Sequence, residues 1–513
     1  MIQTRQSNTG NVGFSGDLWG PGSFLLGVLL VAFAAALVLY TRRIELAGLV
    51  ALPIALLLLS NFRLAATVTI WVVLIWLLRL PQVFFDFLQF SYVVYASMAV
   101  TLGAYVLRLG IGGQARLPII TNKWIWLLTG TVMLGGVHGA RSVGDIPPWL
   151  LVNSDIDLGV AWTYYRTVVF PGVLLPLLAI LIAGALCDKQ KLTAISTPVW
   201  TMVLLIDLLI VGSVAASGDA LSVMATLRNE HLTNLGFHSN ELGAFLAIAY
   251  GLGLGMWDGA EPGRSRKALG ALLVLTVIAL LLTFSRGAYL GFAVTTVVVF
   301  LGGAPKKQAA FLLLTALLWF AAPAPLVDRI GYGLTSKDVN EISAGRVDNL
   351  WLPLLPDIAN HLWFGQGLQS IMWTDAQRFQ EIFPASLAHN AFLDLVLDFG
   401  LIGAVPILAW YAYLWSGLRR GATRDPDPQF RALFVGGELA LLAFFLSSLT
   451  NNRLTPTATN CVLWIVAGVL LGRSYQNPEY LGQVGHRTGN KKSWRPLVEA
   501  SRLPTRTAML DGV

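Results

Sequence analysis

Residues 388–417 read AHNAFLDLVLDFGLIGAVPILAWYAYLWSG: a His-Asn pair, His389-Asn390, followed at once by a long apolar run. A helix needs about 20 apolar residues to cross roughly 30 Å of hydrocarbon, and the stretch from Ala391 onward supplies them. Only Asp394 and Asp398, one helical turn apart, interrupt it. Apolar runs of this kind recur from Phe24 to Leu471. In lipid a segment has no water to bond its peptide groups, and a helix satisfies them internally. The stretch therefore predicts an all-α polytopic membrane protein.

Composition agrees. The 513 residues are 55% hydrophobic and 12% charged, with a mean hydropathy of +0.66, whereas soluble domains carry roughly 25% charged residues. The net charge of +7 does not point to nucleic acid, because basic residues in membrane proteins mostly record topology. The two cysteines, Cys187 and Cys461, fall at or inside predicted spans and suggest neither a disulfide framework nor a zinc site. The first twenty residues are polar and Gly-rich, and the run behind them is long enough to remain as a span, so no cleavable signal peptide is expected.

Working outward from residue 391, the inward loop behind the first span carries Arg419, Arg420 and Arg424, and further spans are predicted near 431–450 and 454–472. The turn between those two holds Asn451, Asn452 and Arg453 on the outer side. The polar tail 473–513, with Lys491, Lys492, Arg495, Arg502 and Arg506, falls inside. In the other direction, 325–390 is the largest loop, outward-facing, with Trp, Pro and Gly content that suggests short helices lying on the membrane. Spans near 309–323, 287–303, 268–285, 238–256, 197–216, 167–187 and 118–138 alternate consistently. Lys306, Lys307, Arg264, Arg266, Lys267, Lys189 and Lys191 fall inside; the loops 139–166 and 217–237 fall outside. Apolar blocks at 22–41, 46–60, 64–78 and 85–107 are separated by Arg42-Arg43, Arg63 and Arg79. The total comes to twelve to fourteen spans, and fourteen leaves Arg42 and Arg43 outside, against the usual bias. The expected divisions are a cytoplasmic tail 1–21, transmembrane helices 22–324, an extracytoplasmic loop 325–390, helices 391–472 and a cytoplasmic tail 473–513. No soluble domain, low-complexity segment or internal repeat is visible.

Several polar residues sit where lipid or its headgroups would be. Arg286, in Thr283-Phe284-Ser285-Arg286-Gly287-Ala288, ends one apolar run on the outer side. It reads as a snorkelling anchor, or as a planar guanidinium aimed at phosphate oxygens. Arg346 lies in the outer loop, either solvated, paired with Asp348, or facing the same outer ligand as Arg286. His389 and Asn390 can simply cap the helix; alternatively His389, titratable near neutral pH, is a base at a helix N-terminus that favours anions. Asp394 and Asp398 either orient a neighbour or face an aqueous cavity.

Other features are weaker. Asp155 and Asp157, and Asp425 and Asp427, have a spacing that can hold a divalent ion against a diphosphate, though such pairs arise easily by chance. Arg166 and Arg453 read equally as anchors or phosphate contacts. His238-Ser239-Asn240 opens a span, and capping explains it. No P-loop, G-x-S-x-G elbow or Cys/His cluster is present, which argues against transport driven by nucleotide hydrolysis on this chain.

Taken in order, these residues resemble the bacterial O-antigen ligase and O-antigen polymerase family. Ser285-Arg286-Gly287 is similar to its Ser-Arg-Gly motif at a helix end. Arg346, Trp351 and Gly365-Gln366-Gly367 are similar to its outer-loop arginine, tryptophan and G-x-G turn. His389-Asn390 through Asp398-Phe399-Gly400-Leu401-Ile402-Gly403 is similar to its next helix, and His238-Ser239-Asn240 to a looser His/Pro-Asn element. The likeness covers roughly 236–410, about a third of the chain. It implies a GT-C-like integral membrane glycosyltransferase that moves a glycan from undecaprenyl diphosphate to an acceptor hydroxyl at the periplasmic face of the bacterial inner membrane. The acceptor would be lipid A-core for a ligase, or a second lipid-linked glycan for a polymerase. No metal or other cofactor is implied.

On that basis His389 is expected as general base, with Arg286 and Arg346 stabilising the leaving diphosphate. Arg166, Arg453, Asn240 and Asn390 are expected to bind substrate. The competing class is a transporter or flippase for lipid-linked oligosaccharide, which would show paired repeats and broken helices near the midplane; neither is evident in the sequence.

Overall fold

The computed structural model describes residues 54–77, 90–112, 122–153, 161–187, 190–217, 238–302, 308–309, 324–331, 337–450 and 453–476. Among them the regular elements are all helical. The main ones are α1 (Phe62–Leu77), α2 (Phe90–Gly112), α3 (Lys123–Ala140), α4 (Ala161–Cys187), α5 (Leu192–Ser217), α6 (Ser239–Gly259), α7 (Arg264–Leu282), α8 (Arg286–Leu301), α9 (Leu352–Asn360), α10 (Ala391–Arg424), α11 (Pro428–Ser448) and α12 (Cys461–Gln476). Of these α4, α5, α6, α7, α10, α11 and α12 are long and apolar enough to cross a membrane, and α1, α8 and the middle of α2 are shorter apolar helices. Most boundaries lie within a few residues of the expected spans. The predicted span 22–41, residues 310–323 of the span predicted at 309–323, residues 46–53, the tail 1–21 and residues 477–513 lie outside the described residues. So do Arg42, Arg43, Arg79, Asp155, Asp157, Lys189, the loop 218–237, Lys306, Lys307, Asn451 and Asn452.

With lipid on the outside, helices gain little from burying apolar surface against one another, so close backbone packing holds them. Gly251 of α6 lies against Leu439 and Ala440 of α11, and a Cβ there would stand 2.9 Å from backbone atoms. Gly468 of α12 meets the Ala179 carbonyl of α4 in the same way, at 2.6 Å. At one end of the bundle Asp425 receives the Arg473 guanidinium on both oxygens, at 2.7 and 3.1 Å. Asp427 caps α11 through the Gln429 N–H. The Asp425 and Asp427 carboxylates are thus both engaged by the chain itself.

The sequence predicts one unbroken helix from residue 391. The structure departs from this at Gly400, whose φ of 62° and ψ of −174° break α10 after its first nine residues. The released backbone groups are taken up by the loop 362–367. Gln366 and Gly367 donate N–H bonds to the Leu397 and Asp398 carbonyls, both at 2.9 Å, while Leu401 and Ile402 donate to Leu362 and Trp363 at 2.8 and 3.1 Å. Irregular backbone at membrane depth persists only where protein groups satisfy it. Gly365 and Gly367, at φ of 67° and 95°, let the loop approach closely, and Leu368 N–H also reaches the Gly135 carbonyl of α3 at 2.9 Å. The isolated glycine inside an apolar pattern carries no local sign of this break, because its partners lie thirty-odd residues upstream.

Candidate functional site

His389 directly precedes Asn390, the N-cap of α10, and its backbone is held from three sides. Trp351 Nε1 donates to the Ala388 carbonyl at 2.8 Å. The Ala388 N–H donates to Asp394 Oδ1 at 2.9 Å. On the far side Asn390 caps α10, its Oδ1 accepting from Phe392 and Leu393 at 3.0 and 3.4 Å. Between these anchors His389 has a φ of 52°, a left-handed conformation that non-glycine residues adopt mainly where the surroundings impose it. Two other rings lie near its half-buried imidazole: Phe383, with centroids 6.5 Å apart, and His238, with centroids 6.3 Å apart and planes tilted by 33°.

His238 is the N-cap of α6, its Nδ1 accepting the Asn240 N–H at 3.2 Å. One turn into α6, a Cβ on Gly243 would stand 2.8 Å from Ser285 and Thr283 and 2.9 Å from Ala288. The histidine-bearing end of α6 therefore packs on the turn that launches Arg286 as the first residue of α8. The preceding Phe284, buried with a φ of 51°, shapes that turn. Gly287, beside Arg286, leaves no room for a Cβ against Thr450. Arg346 Nη1 donates to the carbonyl of that same Thr450 at 2.8 Å. Gly287, the neighbour of Arg286, and the Arg346 guanidinium thus reach one residue just past the end of α11.

Three residues further on, Arg453 is 9% exposed. Its Nη2 donates to the Ser386 carbonyl at 3.0 Å, and its Nη1 lies 3.8 Å from Asp398 Oδ2. Asp398 Oδ1 in turn accepts from the backbone N–H and the hydroxyl of Ser370, both at 2.8 Å. Asp398 is therefore a clasp joining α10, the 362–374 loop and the segment before His389. Asp394 is 2% exposed, and its Oδ2 has no hydrogen-bond partner among the described residues. Both carboxylates are buried, and each has an oxygen bonded to a neighbouring backbone N–H.

Of the other residues singled out in the sequence, Asn240 is buried at 8% inside the first turn of α6, and Asn390 is the cap already described. Arg166 is half-buried within a π-helical turn over Tyr165–Val169. No described hydrogen bond or ion pair joins it to the histidines. Two residues away, the Tyr164 hydroxyl donates to the Leu368 carbonyl at 2.7 Å, so its helix end is fastened to the 362–374 loop. Arg346 directly precedes a second π turn, Val347–Trp351; such turns are rare and often fall at functional positions.

Sequence reasoning left His238 as a plain cap and gave no role to Thr450 or Ser370. His238 and His389 lie 151 positions apart, and no spacing rule connects them. Thr450 takes part through its backbone carbonyl, which side-chain identity does not advertise.

Residues 271–408 match the family described as O-antigen ligase. That interval includes Arg286, Arg346, Trp351, His389, Asp394 and Asp398; Arg166 and His238 precede it and Arg453 follows. Over 281 residues the chain is 26% identical to the teichuronic acid biosynthesis protein TuaE of Bacillus subtilis, covering 49% of this chain and 55% of that protein. The match thus spans about half the length of the curated relative.

Proposed function

We propose that this chain, a membrane protein of the O-antigen ligase family by its residues 271–408, is a glycan-transferring enzyme of surface-polysaccharide assembly. Its donor is a glycan on undecaprenyl diphosphate and its acceptor a hydroxyl, on lipid A-core or on a second lipid-linked glycan. The supporting observation is that the Arg346 guanidinium and the Arg286-Gly287 start of α8 both reach Thr450, while the turn before Arg286 packs against the end of α6 whose His238 ring lies 6.3 Å from that of His389.

In this scheme the acceptor oxygen attacks the sugar C1 as the bond from C1 to the diphosphate oxygen breaks. The bonding pair leaves with the diphosphate, whose new charge lies against the Arg286 and Arg346 guanidiniums. The acceptor O–H proton passes to the His389 imidazole. Attack from the side opposite the leaving group inverts the anomeric centre. The two fixed cations carry the charge stabilisation, so the reaction proceeds without a metal. Arg166 and the cap residues Asn240 and Asn390 flank the substrate, and Arg453 braces the segment that bears the base. The site faces the periplasm from the bacterial inner membrane, because the basic ends of α7 and α10 lie at the opposite end of the bundle.

The break in α10 does not favour a carrier. Its freed backbone groups are bonded to the 362–367 loop, whereas a carrier leaves them to line a substrate or ion path.

Purified protein in detergent, given an undecaprenyl-diphosphate oligosaccharide together with lipid A-core or excess lipid-linked glycan, tests the scheme. Transfer that persists in EDTA with inverted stereochemistry is expected. Loss of transfer on chelation, recovered with a divalent cation, would refute the metal-free mechanism.

A further inference from the structure

His238 is exposed at the mouth of α6, and its ring stands 6.3 Å, centroid to centroid, from that of His389. Because Nδ1 accepts the Asn240 N–H, that nitrogen is unprotonated and the ring proton resides on Nε2. His238 thus offers its ring donor at one atom, whereas His389 must present an unprotonated nitrogen to act as a base. One oxygen hydrogen-bonded to both rings at a near-tetrahedral angle, with ordinary bond lengths of about 2.8 Å, needs nitrogens roughly 4.6 Å apart. Ring nitrogens lie about 1.1 Å from their centroids, so a 6.3 Å separation accommodates that bridge. The other ring near His389 is that of Phe383, with centroids 6.5 Å apart; it offers no hydrogen-bonding group, so the bridge runs to His238.

We infer that His238 is a second substrate-facing imidazole, whose Nε2–H holds the acceptor hydroxyl while His389 removes its proton. The role presupposes the glycan transfer proposed above. His238 orients the attacking oxygen through a lone pair not used in attack, and the hydroxyl proton points to His389. Capping of α6 and this contact use different nitrogens of one ring, so they are separable by substitution.

His238→Asn retains an acceptor near the Nδ1 position, and asparagine is a favoured N-cap, but it lacks the distal donor. His238→Gln carries an amide N–H out toward the Nε2 position and loses the short cap. Both are compared with wild type and with His389→Ala. The measurements are thermal unfolding in detergent, binding of undecaprenyl-diphosphate oligosaccharide, and transfer to lipid A-core or to the same lipid-linked glycan over a range of acceptor concentrations.

We expect His238→Asn to unfold like wild type and bind donor normally, yet to lose about tenfold or more in kcat/KM for the acceptor, the scale of one lost hydrogen bond at a reacting group. His238→Gln is expected to be less stable and more active than His238→Asn. Wild-type transfer by His238→Asn, or higher activity for Asn than for Gln, would reduce His238 to a cap and overturn the inference. A loss appearing in donor affinity would overturn the assignment to the acceptor. Those outcomes leave the parent function standing as long as wild type transfers and His389→Ala does not. A wild-type protein inert toward both acceptors would fell the transfer function and this role together.

Discussion

At His389 a side chain whose usefulness depends on placement sits on a backbone that resists it. A non-glycine residue in the left-handed region costs on the order of 1–3 kcal/mol, and here the Ala388 bonds to Trp351 and Asp394 and the Asn390 cap supply the restraint. Trp351→Phe tests the restraint. It keeps the packing and deletes one donor, so stability should fall by about 1 kcal/mol and turnover by several-fold, with donor affinity unchanged. Equal activity in the two proteins would show that the indole bond does not hold the base in place. His389→Ala should reduce turnover by roughly 10²–10⁴-fold, the usual contribution of a general base, while leaving donor binding near wild type. An equal fall in donor affinity would make His389 a binding residue. The sequence showed His389 and both arginines as polar residues out of keeping with an apolar setting. It could not show the positive φ, which arises from partners as distant as Trp351.

Among the elements, α10 combines two structures: a nine-residue arm that carries the site and a shaft from Leu401 that crosses the bilayer. At 1.5 Å per residue the shaft's 24 residues give about 36 Å, enough for the hydrocarbon without the arm. Gly400 is the joint. A side chain there would be strained at a φ of 62° and would overlap the backbone between Trp363 and Phe364. Gly400→Ala should therefore lower thermal stability markedly, by about 3 kcal/mol or more when strain and overlap are combined. Transfer should be lost in step, as measured by unfolding and activity on the same detergent preparation. Wild-type values for both would mean that the loop 362–367 does not depend on the joint. Helix positions were legible because apolar run length and the flanking arginines follow directly from bilayer thickness and charge bias. The joint was not legible, because Gly400 differs from the tolerated Gly403 only in what packs against it.

For the molecule as a whole, the two ends of the bundle differ in kind. One gathers Arg264, Arg266, Lys267, Arg419, Arg420 and Arg424 near the Asp425–Arg473 pair; the other holds the histidines and the Thr450 turn. Cysteines at exposed Glu381 and Thr423 test which end faces out. Glu381→Cys should react with a membrane-impermeant maleimide in intact cells, and Thr423→Cys only after permeabilisation. The reverse pattern would invert the proposed orientation. The class of fold followed from composition and run length, since neither depends on long-range contacts. The gathering of residues from α6, α8, α10 and α11 at one end depends on glycine-mediated helix packing, which no local pattern specifies.

The stitched joint also bears on how the chain is assembled. Residues 362–367 leave the ribosome before Gly400 does, so the strip that completes α10 is already made when the helix enters the bilayer. A copy of α10 inserted away from that strip would leave the four backbone groups now bonded to it facing hydrocarbon, at several kcal/mol each. A settled position of α10 in the bilayer is thereby coupled to docking of the preceding loop.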